Sequence, residues 1–179
     1  MNDVSLKAMT RPTPEEYAPY FETYISKVPD GDILDTLEEQ TSETLDMLEA
    51  IPEDRQLFSY APGKWTIREV VGHIIDCERV FSYRLLRIAR NDQTPLPGFE
   101  QDDFVAAADS NSRDWEDLLE EYESVRMSTL SLVRQIKPEW WSRMGNASGR
   151  NLTARAAAFI IAGHELHHLK ILHEQYHCK

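Results

Sequence analysis

The sequence contains few cysteines and glycines, and it has no excess of positive charge. Its two cysteines, Cys77 and Cys178, do not make a disulfide framework, and both are expected to stay reduced. Only 7 glycines occur in 179 residues, which suits long helices joined by a few definite breaks. The 31 acidic residues outnumber the 19 basic ones and give a net charge of −12. This charge disfavours binding to nucleic acid or to an anionic membrane, because both need clustered Lys and Arg.

Long hydrophobic runs are also missing. No apolar stretch approaches the length of a membrane span, and residues 1–7 lack the hydrophobic core of a signal peptide. A cytoplasmic location is therefore the default expectation. Hydrophobic residues still make up 41% of the chain, which is enough to bury the core of one globular domain.

Four segments show the hydrophobic periodicity of long helices. In the first, Ile33, Leu37 and Leu48 recur at helical spacing, and Pro52 ends the helix. In the second, Thr66 and Glu69 have the spacing of a capping box. The predicted helices span residues 33–51, 66–90, 113–137 and 152–176.

The segments between these helices determine the predicted fold class. Residues 91–112 contain Pro95, Pro97 and Gly98, which predicts a long crossover between helices two and three. Residues 145–150 predict a polar loop, and no segment shows the alternation typical of a β-strand. The sequence therefore predicts an all-α protein, a four-helix bundle with one long crossover.

The N-terminal part differs in composition from the rest. It is rich in proline and tyrosine, which predicts an extended arm with one short helix near residues 15–26. The tyrosines are expected to pack onto the main domain. The predicted division is an arm of residues 1–32 and a bundle domain of residues 33–179.

A pair of histidines in the last predicted helix indicates a metal site. His164 and His168 are four residues apart, so their side chains project from the same helix face. Two imidazoles so placed can bind one divalent cation together with a third ligand. His73 is the only histidine outside that helix, and it lies at the border of the apolar stripe of helix two. If helices two and four pack together, the three can form a site with open positions, which is a catalytic type of centre.

The same histidines have structural alternatives. His73 taken alone is typical of a hydrogen-bonded residue at the border of a core. His167 lies at the edge of the apolar stripe, where it could contact a ligand histidine or solvent. His173 and His177 are expected at a solvated helix end, where positive charge suits the helix dipole. The combination of His73 with the pair at 164 and 168 favours the metal interpretation.

Three neighbouring residues allow more than one interpretation. Glu165 points toward an apolar arc, where a carboxylate is costly unless it is paired or protonated. It could be a base that activates water, a partner that orients a histidine, or one half of an ion pair with an arginine on another helix; the last two are favoured. Cys77 could be a fourth ligand or a reactive thiol, but a small buried packing residue is favoured. Trp65 could line the mouth of the site with Arg68, although a hydrophobic staple at the helix start is favoured.

The run from His164 to His168 also satisfies the H-E-x-x-H pattern of zinc proteases. The extended form of that motif needs Gly at position 171 and His at position 174, where this chain has Ile171 and Glu174. A protease also normally has a strand that aligns its substrate, and none is predicted. The protease interpretation is therefore set aside.

Two segments carry a resemblance to a known family. The segment at 61–76, Ala-Pro-Gly-Lys-Trp-Thr-Ile-Arg-Glu-Val-Val-Gly-His-Ile-Ile-Asp, resembles the start of the second helix in the DinB-like (YfiT-like) superfamily. The segment at 161–168, Ile-Ala-Gly-His-Glu-Leu-His-His, is similar to the last helix of that family. The resemblance implies a bundle with up-down-down-up connectivity. It also implies a divalent metal, usually zinc or nickel, held by His73, His164 and His168.

The resemblance implies several functions rather than one. Members of the superfamily are often homodimers, and they include thiol-dependent transferases and isomerases as well as metal-dependent hydrolases. The first hypothesis is therefore a metal-dependent hydrolase or thiol transferase acting on a small molecule. The second is a non-catalytic metal- or ligand-binding module of a stress response. The third is a purely structural bundle that dimerises and holds no metal.

Overall fold

The computed structural model describes residues 10–178, and these form six α-helices, several 3-10 turns and one two-stranded sheet. Four of the helices are long, and each begins and ends within three residues of its predicted position. The predicted all-α bundle is confirmed. The elements are α1 (Glu22–Ile25), α2 (Ile33–Glu49), α3 (Ile67–Ala89), α4 (Gln101–Ala108), α5 (Trp115–Arg134), β1 (Met144–Ala147), β2 (Arg150–Thr153) and α6 (Ala154–Tyr176).

The four long helices pack in an order that differs from their order in the chain. Helices α2 and α3 each pack against both α5 and α6, and the contact between α3 and α6 is the most extensive. Helices α2 and α3 therefore lie across one diagonal of the bundle, and α5 and α6 lie across the other, whereas the consecutive helices α3 and α5 are neighbours. Each diagonal pair requires a long connection. The α3–α6 contact brings the helix that carries His73 against the helix that carries His164 and His168.

Side-chain caps fix where the helices begin. The predicted capping box is present at α3: the Glu69 amide donates to Thr66 Oγ1 at 3.2 Å, and the Thr66 amide donates to Glu69 Oε2 at 2.7 Å. At α2 the Asp32 carboxylate accepts from the Leu34 amide at 2.8 Å. A fixed start matters at α3 because it determines which face His73 occupies two turns later.

The crossover between α3 and α5 is long, as predicted, but it is not entirely loop. It contains the short helix α4, in which Val105 is buried and the other seven residues are exposed. Eight residues with one buried position give too weak a periodicity to predict a helix. No helix in residues 10–178 is long and apolar enough to cross a membrane.

The prediction of a polar loop without strands at residues 145–150 is wrong. Strands β1 and β2 pair antiparallel through a two-residue turn at Ser148 and Gly149, which have φ angles of 54° and 73°. These are the left-handed conformations that a tight hairpin turn requires. Four-residue strands are too short to show a clear alternation, and their buried side chains are those of Ala147, Leu152 and Thr153. The crossover is tied to this hairpin because the Leu96 amide donates to the Asn146 carbonyl at 2.9 Å.

The N-terminal arm packs on the bundle through its apolar side chains. Phe21, Ile25 and Val28 are buried in the same core cluster as residues of the long helices. The predicted helix near residues 15–26 is correct only for α1, because the preceding residues form 3-10 turns. Residues 1–9 of the predicted arm, and residue 179, lie outside the described part of the chain. The division at residue 32 stays a prediction.

A glycine in α6 explains how closely the arm approaches. A Cβ atom built on Gly163 would lie 2.2 Å from the carbonyl oxygen of Tyr24. Any larger residue at this position would collide with the arm backbone. Gly163 therefore lets α1 lie directly on α6, next to His164.

Candidate metal centre

The structure brings the three predicted ligand histidines together. The Nε2 atoms of His73 and His164 are 3.2 Å apart. The ring of His168 lies 4.7 Å from that of His73 and 4.6 Å from that of His164, measured between centroids. Helix α3 supplies one imidazole and α6 supplies two that are one turn apart. The three rings form one cluster, which we call the histidine cluster.

The histidine cluster is shielded from water, and this keeps its imidazoles neutral. Burial lowers the pKa of His73 to about 4, and the nearby Asp102 carboxylate opposes this shift. Burial, reinforced by His73 and His167, lowers the pKa of His168 to about 3. Burial also lowers the pKa of His164 well below its usual range. Neutral imidazoles have the free lone pairs that a metal ion requires, so protons do not compete for them near neutral pH.

Aromatic side chains cover the histidine cluster from two sides. The Trp65 ring lies 4.7 Å from the His73 ring and 6.4 Å from the His168 ring. On the other side, the arm residue Tyr24 lies 5.3 Å from the His164 ring. Trp65 therefore contacts the site directly, as the less favoured of its two interpretations proposed. Arg68 instead hydrogen-bonds to Gln56 and to backbone carbonyls near the start of α5.

Cys77 lies within reach of the same histidines. Its sulfur is 3.6 Å from His73 Nε2, and one potential ligand atom from each of His73, Cys77 and His164 lies within 4.8 Å of the others. Burial raises the pKa of the Cys77 thiol to about 12, so it is protonated without a metal. The geometry therefore keeps open both interpretations of Cys77, as a packing residue and as a ligand.

Glu165 is engaged by side chains from two other helices. Its Oε1 accepts hydrogen bonds from Thr44 at 2.5 Å and from Tyr122 at 2.9 Å, and its Oε2 pairs with Arg126. Arg126 also pairs with Glu78 through two hydrogen bonds, and all three charged side chains are buried. The prediction of an ion pair with an arginine on another helix is confirmed. With both carboxylate oxygens engaged, a role as a base has no support in this geometry.

The remaining histidines differ in their placement. His167 is half-buried, and its ring lies 5.7 Å from the Tyr24 ring and 5.0 Å from the His168 ring. This is the border position predicted for it. His173 and His177 are exposed at the end of α6, also as predicted.

Two cavities open onto the histidine cluster. The first, which we call the histidine cavity, has a volume of about 710 Å³ and reaches His73, Cys77 and His164. The second has a volume of about 500 Å³ and reaches His168 and Trp65. They share four lining residues, namely Tyr20, Tyr24, Gln101 and Asp102. A small molecule can therefore approach the cluster beneath a rim built from the arm and from α4.

Several residues of this region could not be identified from the ligand motif. Tyr24 is brought to the site by the arm. The sequence signal for this contact was Gly163, because a glycine inside a helix often marks the close approach of another segment. Arg84 also lines the histidine cavity. It lies eleven residues after His73, close to three helical turns, and so projects from nearly the same face of an otherwise apolar stripe.

The donor set fits a divalent metal. Three neutral imidazoles are the ligand type of catalytic zinc sites, and they also suit nickel. The Nε2 atoms of His73 and His164 are already close together, and the His168 ring lies beside both, with centroid distances of 4.7 and 4.6 Å. The ligand atoms that already lie within 4.8 Å of one another belong to His73, Cys77 and His164, so the His168 ring has to turn or shift to share their ion. Within residues 10–178, no carboxylate is hydrogen-bonded to the ring of His73, His164 or His168. The cluster therefore lacks the partners that purely structural histidines usually have.

Comparisons with known proteins agree with this architecture. The chain is similar to the structure of YfiT from Bacillus subtilis, described as a probable metal-dependent hydrolase with an unusual four-helix bundle topology. The identity is 16%, the TM-score is 0.68, and the match covers 98% of this chain and 99% of YfiT. The chain is also similar to a mycothiol-dependent maleylpyruvate isomerase, with 16% identity and a TM-score of 0.64. That match covers 76% of this chain and 58% of the isomerase.

At such identities these two structures establish the fold alone. No curated protein matches the chain. A family model, however, matches residues 36–172, and it is that of the DinB superfamily. The matched range covers most of the chain and includes all three residues of the histidine cluster. The protein therefore belongs to the DinB superfamily.

Proposed function

We propose that this protein binds a divalent metal ion through His73, His164 and His168 and acts as a metal-dependent hydrolase or thiol-dependent transferase on a small molecule. The observation that carries the proposal is the contact of three buried, neutral imidazoles beside open cavities. Purely structural histidines usually satisfy their ring nitrogens with hydrogen bonds to carbonyls or carboxylates. In this cluster His73 Nε2 faces His164 Nε2, and the His73 ring also faces the Cys77 sulfur.

A bound divalent ion would supply Lewis acidity at this position, which serves both hydrolysis and the activation of a thiol. The protein side chains perform the remaining tasks. Trp65 and Tyr24 pack against the rings and limit the access of water to the cluster. Low dielectric around the site strengthens the electrostatic interaction with a substrate.

The cavities support a small-molecule substrate. Volumes of about 710 and 500 Å³ lie within the range of pockets for small ligands, roughly 300–1,000 Å³. The described structural relatives do not identify the substrate of this chain. The choice between hydrolysis and thiol transfer therefore depends on what occupies these cavities.

The ligand set can be tested by metal content. Protein purified without a histidine tag, and incubated with zinc or nickel, is expected to hold one equivalent by elemental analysis. His73→Ala and His168→Ala are expected to lose most of this metal. The control variant His177→Asn changes an exposed histidine at the C-terminal end of α6 and is expected to retain it. Cys77→Ser is expected to retain the metal if Cys77 is only a packing residue. Normal metal content in His73→Ala would refute the ligand set.

Activity distinguishes an enzyme from a binding module. The metal-loaded protein is assayed on a panel of esters, amides and thiol adducts, with His168→Ala as the control. Turnover that disappears in the variant supports the enzyme. Stoichiometric metal without turnover on any substrate would favour the second candidate, a non-catalytic binding module. The homodimer and the cytoplasmic location stay predictions.

A further inference from the structure

Arg84 is a buried arginine that is not part of the candidate metal centre. Its side chain is buried, with 3% exposure, on the inner face of α3. Burying a guanidinium without a carboxylate partner is costly. The protein has 31 acidic residues, yet among residues 10–178 none forms an ion pair with Arg84. This contrasts with Arg126, the other fully buried arginine, which pairs with two glutamates.

The contacts of Arg84 use only one of its three nitrogen atoms. Its Nη2 donates to the carbonyl oxygen of Pro97 at 2.9 Å and to the hydroxyl of Ser148 at 2.8 Å. Its Nε and Nη1 donate to no residue in the described part of the chain, and neither is sealed from solvent. Two charged donors are therefore available to a molecule inside the protein.

The surroundings hold the guanidinium in place. Its central carbon lies 4.8 Å from the ring centroid of Phe81 and 6.0 Å from that of Phe99. Ser148, which accepts one of its hydrogen bonds, has a left-handed φ of 54° in the hairpin turn. A Cβ on Gly98 would lie 3.2 Å from the Ser148 hydroxyl oxygen, so the glycine leaves room for this contact. Preorganised donors lose little conformational entropy when they bind a ligand.

Arg84 lines the histidine cavity together with a second arginine. Arg150, at the start of β2, is half-buried and stacks on the Tyr20 ring at 4.3 Å. Its Nη1 donates to the backbone oxygen of Ser148 at 3.4 Å. The acidic residues of the same cavity, Glu100 and Asp102, are exposed at its rim. Exposed carboxylates are screened by water, whereas the buried guanidinium acts in a lower dielectric. The buried part of the cavity lining at Arg84 is thus electropositive.

We propose that Arg84 is the binding site for the carboxylate of a monoanionic organic substrate or product, whose remaining atoms extend toward the histidine cluster. This inference deepens the proposed function, since it names the substrate class of the same cavity. One buried guanidinium balances one negative charge, and the aromatic side chains Phe81, Phe99 and Tyr24 favour an apolar body over a highly charged one. Arg150 at the opening adds a weaker attraction.

The test compares benzoate with benzamide, which have nearly the same shape but differ in charge. Binding is measured by ligand-observed NMR titration on the metal-free full-length protein, so that coordination to a metal cannot contribute. We expect benzoate to bind at least about tenfold more tightly than benzamide, in keeping with a hydrogen bond to a charged group. Equal affinities for the two probes would overturn the proposal.

Variants assign the preference to Arg84. Arg84→Gln is expected to remove the preference for benzoate, whereas Arg87→Gln, on the same helix but paired with Asp92, keeps it. Circular dichroism establishes that each variant is folded. A folded Arg84→Gln protein that still prefers benzoate would overturn the assignment.

A second variant keeps the test decisive if Arg84→Gln does not fold. Arg150 is half-buried and also lines the histidine cavity. The variant Arg150→Gln is expected to weaken benzoate binding about threefold. Wild-type affinity in Arg150→Gln would place the anion outside this cavity and contradict the proposal. Tighter binding of inorganic phosphate than of benzoate would contradict the carboxylate assignment.

The two proposals fail in different ways. A preference for benzoate in a protein that takes up no zinc or nickel would leave the carboxylate site standing and remove the metal enzyme. Full metal content without any preference for benzoate would do the reverse.

Discussion

Three imidazoles in mutual contact are energetically costly for the fold unless they remain neutral. Each is surrounded by protein rather than by water, and burial disfavours the charged form. The protein therefore maintains a cluster of lone pairs that serves no evident packing purpose. A metal ion would use this arrangement, and its binding would contribute to the stability of the fold.

The neutral histidines make the stability of the metal-free protein depend on pH. The pKa of His73 is lowered to about 4, so between pH 6.5 and 4 the unfolded state binds a proton that the folded state does not. Stability should therefore fall as the pH drops below 6.5, by up to about 1.4 kcal/mol per pH unit for each such histidine. Urea unfolding at several pH values measures this slope.

The matched control is His73→Gln, which removes one of the titrating groups. Its free energy of unfolding should change less steeply between pH 6.5 and 4 than that of the wild type. An equal slope in the two proteins would contradict the account of His73 as a buried neutral residue.

The buried ion pairs of Arg126 give a second prediction at the scale of single residues. Replacing Arg126 by Leu leaves Glu78 and Glu165 buried without their cation, which is expected to cost about 3–5 kcal/mol of unfolding free energy. Arg134→Leu breaks an exposed pair with Glu38 and should cost no more than about 1 kcal/mol. Urea unfolding of both variants makes the comparison. Similar losses of unfolding free energy in the two variants would contradict the claim that burial makes the ion pairs of Arg126 important for stability.

At the scale of elements, the site depends on the packing of the arm against α6. Gly163 permits this contact because a side chain there would collide with the Tyr24 carbonyl. The contact also places the Tyr24 ring beside His164. The arm is thus a structural part of the candidate metal centre.

Gly163→Ala tests this packing. Alanine favours a helix by about 1 kcal/mol over glycine, so a gain in stability would be expected if nothing opposed it. The collision with the arm should reverse the sign and give a net loss of about 1–3 kcal/mol. Limited proteolysis should also cleave the arm faster than in the wild type. Gln175→Ala, at an exposed position on the same helix, should be close to neutral, and a stabilised Gly163→Ala protein would contradict the packing.

The elements also differ in how well their sequence predicts them. The long helices α3 and α6 have strong periodicity and, at α3, a capping box, so their position and type follow from local sequence. The hairpin of β1 and β2 does not, because it is defined by pairing between short segments and by bridges to Tyr17 and Leu96. Helix α4 is likewise too short to be recognised.

The site shows the same division between local and long-range information. His164 and His168 are linked by helical spacing, which sequence reveals directly. The approach of His73 could only be predicted on the assumption that α3 and α6 pack together, and the ion pair of Glu165 with Arg126 required a partner 39 residues away. Arg84 has no local motif, and its connection to Ser148 depends on the crossover and the hairpin meeting.

At the scale of the whole molecule, α2 lies diagonally across from α3, and α5 from α6, so that α3 packs beside α6. The long connections between the helices supply part of the cavity lining, namely Gly98 and Phe99 from the crossover and Ser148 from the hairpin. The connections that close the bundle thus also build the pocket. The chain has a net charge of −12, yet the histidine cavity is lined by a buried arginine.

The most direct test of the central claim is a crystal structure of untagged protein incubated with zinc, with anomalous data collected on both sides of the zinc absorption edge. The account predicts one anomalous peak within about 2.0–2.1 Å of a ring nitrogen of each of His73, His164 and His168. A histidine cluster without such a peak, in protein that elemental analysis finds to be free of metal, would contradict it.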